Sequence, residues 1–114
     1  MSGGLEQRRA ILVTGASRGI GAAIARAFAA AGDRVAVHYG RSAAAAEEVA
    51  ASLTGDGHVV VGADIADPEA VRRMVDTAAA KLGGLSVLVN NAGVFQPHPR
   101  SPRRATRNGS ARGS

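Results

Sequence analysis

An α/β fold is predicted: a doubly wound parallel sheet of about four strands with three helices. Two observations carry this reading. Between residues 10 and 93, short runs of Val, Ile and Leu alternate with longer segments whose apolar residues recur at helical spacing, the pattern of successive βαβ units. The short runs are almost continuously apolar, as suits strands covered on both faces. Because parallel crossovers are right-handed in nearly every case, β-α-β-α-β-α-β in this order most simply gives half of a doubly wound sheet.

Residues 10–13 form the first strand and run into a glycine-rich turn. The first helix follows, with Ile20, Ile24, Ala27, Phe28 and Ala31 as its expected inward stripe and Gly32-Asp33 as its stop. The second strand covers residues 34–39. The second helix runs from about residue 43 to 53, with Ser42 as N-cap and Ala46, Val49 and Leu53 on one stripe. Residues 58–62 make the third strand. The third helix has the plainest start signal: Asp67 at the N-cap, Pro68 at the first helical position and Glu69 in the first turn. Its inward stripe is Val71, Val75, Ala78 and Leu82, and Gly83-Gly84 ends it. Residues 85–89 are the fourth strand.

The chain has 114 residues, room for one core. Apolar residues make up 46% of it but aromatics only 3%, namely Phe28, Tyr39 and Phe95, so that core is built from Ala, Val, Ile and Leu. The absence of cysteine excludes disulfides, thiolate metal sites and cysteine nucleophiles. His38, His58 and His98 have no ligand spacing, so no metal is expected. The leader, residues 1–9, lacks an apolar stretch, and no run approaches the roughly 18 apolar residues of a membrane span. A cytoplasmic protein without a membrane partner is expected.

The net charge of +5 is unevenly distributed. Basic and acidic residues balance up to Gly93, whereas residues 94–114 carry Arg100, Arg103, Arg104, Arg107 and Arg112 and no acid. Beyond Val94 there is also no Val, Ile, Leu or Met. Such a segment buries too little surface to offset its ordering entropy, so a disordered basic tail is expected. Three origins for it stand open: a shifted reading frame or related truncation, a solvated tail without a role, and a basic arm. As an arm it supports only non-specific, salt-sensitive phosphate contacts, and a nucleic-acid partner is not expected.

The first strand leads directly into Thr14-Gly15-Ala16-Ser17-Arg18-Gly19-Ile20-Gly21, which opens the first helix. Glycines there permit a tight turn and let backbone N–H groups approach a pyrophosphate at a helix N-terminus. A glycine triplet alone is weak evidence; between a strand and a periodic helix it is strong. Together with Ala63-Asp64-Ile65 after the third strand and Asn90-Asn91-Ala92-Gly93 after the fourth, this turn resembles the short-chain dehydrogenase/reductase family, in its classical subgroup. The resemblance covers about residues 8–95. It implies a partial Rossmann-like sheet and a nicotinamide dinucleotide as partner. The resemblance implies Gly15 to Gly21, with Ser17, Arg18, Gly19 and Ile20 among them, around the pyrophosphate, Asp64 hydrogen-bonding the adenine amino group, and Asn91, Ala92 and Gly93 lining the ribose and nicotinamide side; Thr14 and Ile65 are counted in the same cofactor site. Without that resemblance, Asp64 reads as an ordinary turn former.

An NAD site places an acid at the end of the second strand, where it bonds the ribose 2′-OH and repels a 2′-phosphate. Here the chain reads His38-Tyr39-Gly40-Arg41-Ser42, without an acid. Arg41 and Arg18, with Ser42 beside them, suit a 2′-phosphate, so NADP(H) is expected over NAD(H). The family's catalytic Tyr-x-x-x-Lys pair has no counterpart, since the only tyrosine is Tyr39, four residues before Ala43, and the only lysine is Lys81. No catalytic residue is assigned. An α/β enzyme of this kind takes roughly 200–250 residues; the sequence is expected to be the cofactor half of a carbonyl or alcohol oxidoreductase, inactive alone and lacking the helices of the usual oligomer interface. The alternatives are a non-catalytic dinucleotide-binding module and a nucleic-acid-binding protein acting through its basic tail.

Overall fold

A computed structural model gives the fold, and the structure describes residues 8–91. The sequence-predicted leader up to residue 7, the site residues Ala92 and Gly93 and the expected tail lie outside the described residues. Among those described, the elements in order are β1 (Ala10–Val13), α1 (Gly19–Ala30), β2 (Arg34–Tyr39), α2 (Ala43–Ser52), β3 (Val59–Gly62), α3 (Pro68–Leu82) and β4 (Val87–Val89). All the strands are parallel, in one sheet ordered β3-β2-β1-β4. Val13 lies between Val37 on one side and Val89 on the other. The α/β class and the Rossmann-like half-sheet are as the sequence predicts.

Alternation along the strands divides the core into two layers. Ile11, Val13, Val35 and Val37 face α1 and α2, meeting Ala22, Ala25, Ala29, Ala46, Val49 and Leu53. Ala10, Leu12, Ala36 and Val61 face α3 and meet Met74, Ala78 and Leu82. Full burial of side chains such as Ile11 and Leu12 stabilises by about 1.5–3 kcal/mol each. The two central strands are thus covered on both faces, as expected. The edges are not: Leu88, on β4, is 52% exposed.

Two strands begin later than the periodicity predicts, at Val59 and Val87. At both starts a side chain supplies the bond that a longer ladder would. His58 Nδ1 accepts the Val35 N–H (3.1 Å), and Ser86 Oγ accepts the Ala10 N–H (3.3 Å). The stripe expected on α1 also needs correction. Ile20, Ala27 and Ala31 are exposed, Ile24 and Phe28 half-buried, and the buried face is Gly21, Ala22, Ala25 and Ala29. The helix meets the sheet through its smallest residues, and the larger side chains lie on its flanks.

The amino-terminal side of the sheet is pinned by Asp33, buried ahead of β2. Arg9 donates to it from Nη2 (2.8 Å) and Nε (3.1 Å). The hydrogen bond from Arg9 holds the Asp33 carboxyl below the usual carboxylate range, against the opposing effect of burial. Arg34 of β2 also donates to the Leu82 carbonyl at the end of α3. Gly83, in the left-handed region at φ 78°, closes that helix.

Candidate functional site

The chain passes from β1 outward to β2 and β3, then crosses back to place β4 on the other side of β1. The strand order therefore reverses beside β1, and in open parallel sheets ligands bind at the carboxyl ends of the strands at such a point. The three sequence motifs converge here: the glycine turn after β1, Ala63-Asp64-Ile65 after β3 and Asn90-Asn91 after β4.

The turn is closed by contacts that demand glycine. Gly19 takes φ 61°, in the left-handed region. A Cβ on Gly21 would lie 2.1 Å from the Gly15 carbonyl oxygen and 2.8 Å from Asn91 Nδ2. The first turn of α1 thus packs directly on the turn that precedes it. Thr14 fastens the same point to β4: its N–H donates to the Val89 carbonyl (3.0 Å), and its Oγ1 accepts the Asn91 N–H (2.8 Å). Asn91 Nδ2 in turn donates to the Gly15 carbonyl (3.4 Å).

Helix capping distinguishes α1 from its neighbours. Ser42 Oγ accepts the Ala45 N–H at the start of α2 (3.1 Å), and Asp67 accepts from Glu69 (3.0 Å) and Ala70 (3.4 Å) at the start of α3. Arg18, the N-cap of α1, is extended and makes no side-chain cap bond, and the first turn of α1 holds no acid. The positive end of the α1 dipole is therefore offset neither by a cap side chain nor by an acid of its own first turn, an arrangement suited to an anion. Ser17 is half-buried, Arg18 exposed, and Ile20 stands 74% exposed at the rim.

On the β2–β3 side an open cleft of about 330 Å³ is lined by Gly15, His38, Gly40, Arg41, Asp64 and Ile65. Four residues singled out in the sequence, Gly15, Arg41, Asp64 and Ile65, thus line one cleft. Asp64 also performs its ordinary task, accepting the Ala66 N–H in a local turn (3.0 Å). Ser42 Oγ caps α2, as its place before the helix predicts, and Ser42 is not among the residues lining this cleft. Among the described residues no helix is long and apolar enough to cross a membrane, and no group of three metal-ligating side chains forms.

One residue of the cleft has no motif to announce it. His38 is 2% exposed; its Nδ1 accepts the Gly15 N–H (2.8 Å) and its Nε2 lies 2.9 Å from the Ala63 carbonyl oxygen. In the sequence it is one of three scattered histidines. The only available signal is its place at the carboxyl end of a central strand.

The profile of the short chain dehydrogenase family matches residues 9–108. The chain belongs to the short-chain dehydrogenase/reductase family. It is 46% identical over 94 residues to a short-chain type dehydrogenase/reductase of Picea abies, covering 75% of this chain and 35% of the relative. It is 45% identical over 85 residues to a 3-oxoacyl-[acyl-carrier-protein] reductase of Synechocystis, covering 73% and 34% respectively. Among solved structures, a short chain dehydrogenase from Burkholderia cenocepacia in complex with NADP is 53% identical and superposes with a TM-score of 0.68, over 78% of this chain and 37% of that one. The chain spans about a third of the length of the curated relatives it matches.

Proposed function

We propose that this chain binds NADP(H) in preference to NAD(H), as the cofactor portion of an oxidoreductase acting on a carbonyl or alcohol. Arg41 carries the preference: it lines the cleft together with Asp64, and the end of β2 supplies no acid to repel a 2′-phosphate. Its guanidinium makes charge-assisted bonds to such a group, with Arg18 at the mouth of α1 adding field. The uncapped opening of α1, from Ser17 to Gly21, receives the pyrophosphate, with Thr14 and Gly15 shaping the turn. Asp64 and Ile65 border the adenine, and Asn91, Ala92 and Gly93 the ribose and nicotinamide. The close approach at Gly21 supports this reading only through the turn, since a side chain there would push the opening of α1 away from Gly15 and Asn91. When bound, the nicotinamide supplies or accepts the hydride.

The chain by itself is proposed to bind without turnover. Tyr39 lies on β2, where its ring sits over Gly62, and Lys81 stands at the far end of α3, which runs back toward the amino ends of the strands. Neither meets the other in a Tyr-x-x-x-Lys pair.

Fluorescence titration of the full chain with NADPH and NADH tests the preference. NADPH is expected to bind at least about tenfold tighter, and Arg41→Ala to remove about tenfold for NADPH while leaving NADH unchanged, as loss of one solvent-accessible charged contact implies. Equal affinities for the two dinucleotides refute the preference. Reduction of any carbonyl compound by the purified chain refutes the absence of turnover.

A further inference from the structure

We infer that His38 is a positioning residue, a neutral clamp in a single tautomer that locks the glycine turn to the Asp64 loop. The inference rests on the dinucleotide reading for its consequence, but not for its geometry. The Gly15 N–H can only donate, so Nδ1, 2.8 Å away, carries no proton. The Ala63 carbonyl can only accept, so Nε2, 2.9 Å away, carries one. The imidazole is thus held as the Nε2–H form by partners from two different segments, and the residue itself is only 2% exposed. The backbone of the same strand end completes the link: the Ala16 N–H donates to the His38 carbonyl (2.9 Å) and the Ala63 N–H to the Tyr39 carbonyl (3.2 Å).

Two walls of the cleft, Gly15 from the first motif and Asp64 from the second, are tied through this one ring. Alternation along β2 sets the geometry. His38 shares the side-chain direction of Ala36, toward the α3 layer, and follows it at the point where that layer ends. The Gly15 amide is consequently engaged inside the protein, which leaves anion recognition to the amides at the opening of α1 and gives Gly15 the task of placing them.

The test uses the full chain as wild type, His38→Asn, His38→Gln and His38→Leu. Asparagine places Oδ1 where Nδ1 stands and keeps the acceptor for Gly15; glutamine keeps a donor toward Ala63 only; leucine keeps neither. In the ligand-free wild type, long-range ¹H–¹⁵N spectra are expected to show the His38 ring as the Nε2–H tautomer, with the Gly15 amide protected from exchange. NADPH affinity is expected to fall about tenfold or more in His38→Leu and in His38→Gln, and to stay within about threefold of wild type in His38→Asn, since only Asn keeps an acceptor for the Gly15 amide that places the turn. If His38→Leu does not fold, the contrast between Asn and Gln, two amides, decides the matter. An Nδ1–H tautomer, a freely exchanging Gly15 amide, or equal affinities in folded Asn and Gln variants overturns the clamp. A wild type that ignores NADPH overturns the functional reading instead, while the tautomer and exchange measurements, made without ligand, still decide the clamp.

Discussion

Replacing Gly21 with alanine places a methyl group 2.1 Å from the Gly15 carbonyl oxygen, 2.8 Å from its carbon and 2.8 Å from Asn91 Nδ2. Two of those atoms are backbone of the turn, so a rotamer change cannot relieve the contact; α1 must move away from the turn. Overpacking of this kind costs about 1–3 kcal/mol, and the better helix propensity of alanine returns about 1 kcal/mol at most. The net is a loss of up to about 2 kcal/mol, and for a domain of this size each kcal/mol lowers Tm by about 4–8 °C. Thermal unfolding followed by circular dichroism should therefore fall by up to about 15 °C, on that scaling. NADPH affinity should fall more than stability does, because the displaced segment carries the anion-facing amides. Gly40→Ala is the control: a Cβ there meets nothing within 4 Å, so Tm should hold or rise slightly. A Gly21→Ala protein with wild-type Tm and wild-type NADPH affinity would refute both the close approach and the role given to the turn.

Asp33 controls the acid limb of stability. Its carboxyl lies below the ordinary range in the folded protein because Arg9 donates to it, so its contribution is complete above the ordinary carboxylate pKa and is lost as pH falls through the lowered folded value. Asp33→Asn should lower stability at neutral pH and flatten that acid decline; urea unfolding at several pH values measures it, and parallel curves for both proteins would contradict the pairing. Asp67→Ala removes the acceptor for two amides of α3 and should cost about 1 kcal/mol, read as a lower urea midpoint; no shift would mean the cap is idle. Leu88→Thr, at a side chain 52% exposed, should change the stability of the isolated chain by less than about 0.5 kcal/mol. A larger loss in the same unfolding assay would show that Leu88 is buried in solution.

The element order and type were legible because their signals are local. Strand and helix periodicities are carried within a few residues, and Ser42, Asp67-Pro68 and Gly83 mark helix ends through bonds to amides or carbonyls of their own helices. The glycine turn was equally legible, since Gly19 and Gly21 answer to the conformation of one short segment. Site membership was less so. Ser42 was readable as the cap of α2, but that it does not line the cleft beside Arg41 and Asp64 is evident only in the fold.

By itself, then, the sequence determined an α/β half-sheet with a glycine turn at its first crossover, and the spacing of the three motifs that mark the family. The tertiary structure decided which face of α1 is buried, choosing Ala22, Ala25 and Ala29 over Ile20 and Ala27, because helix periodicity leaves the distance to the sheet unstated. It also decided what His38 does. The partners of that ring are 23 and 25 residues away along the chain, and they meet it only once β1, β2 and β3 are paired in register, a non-local condition that no local pattern of residue types encodes.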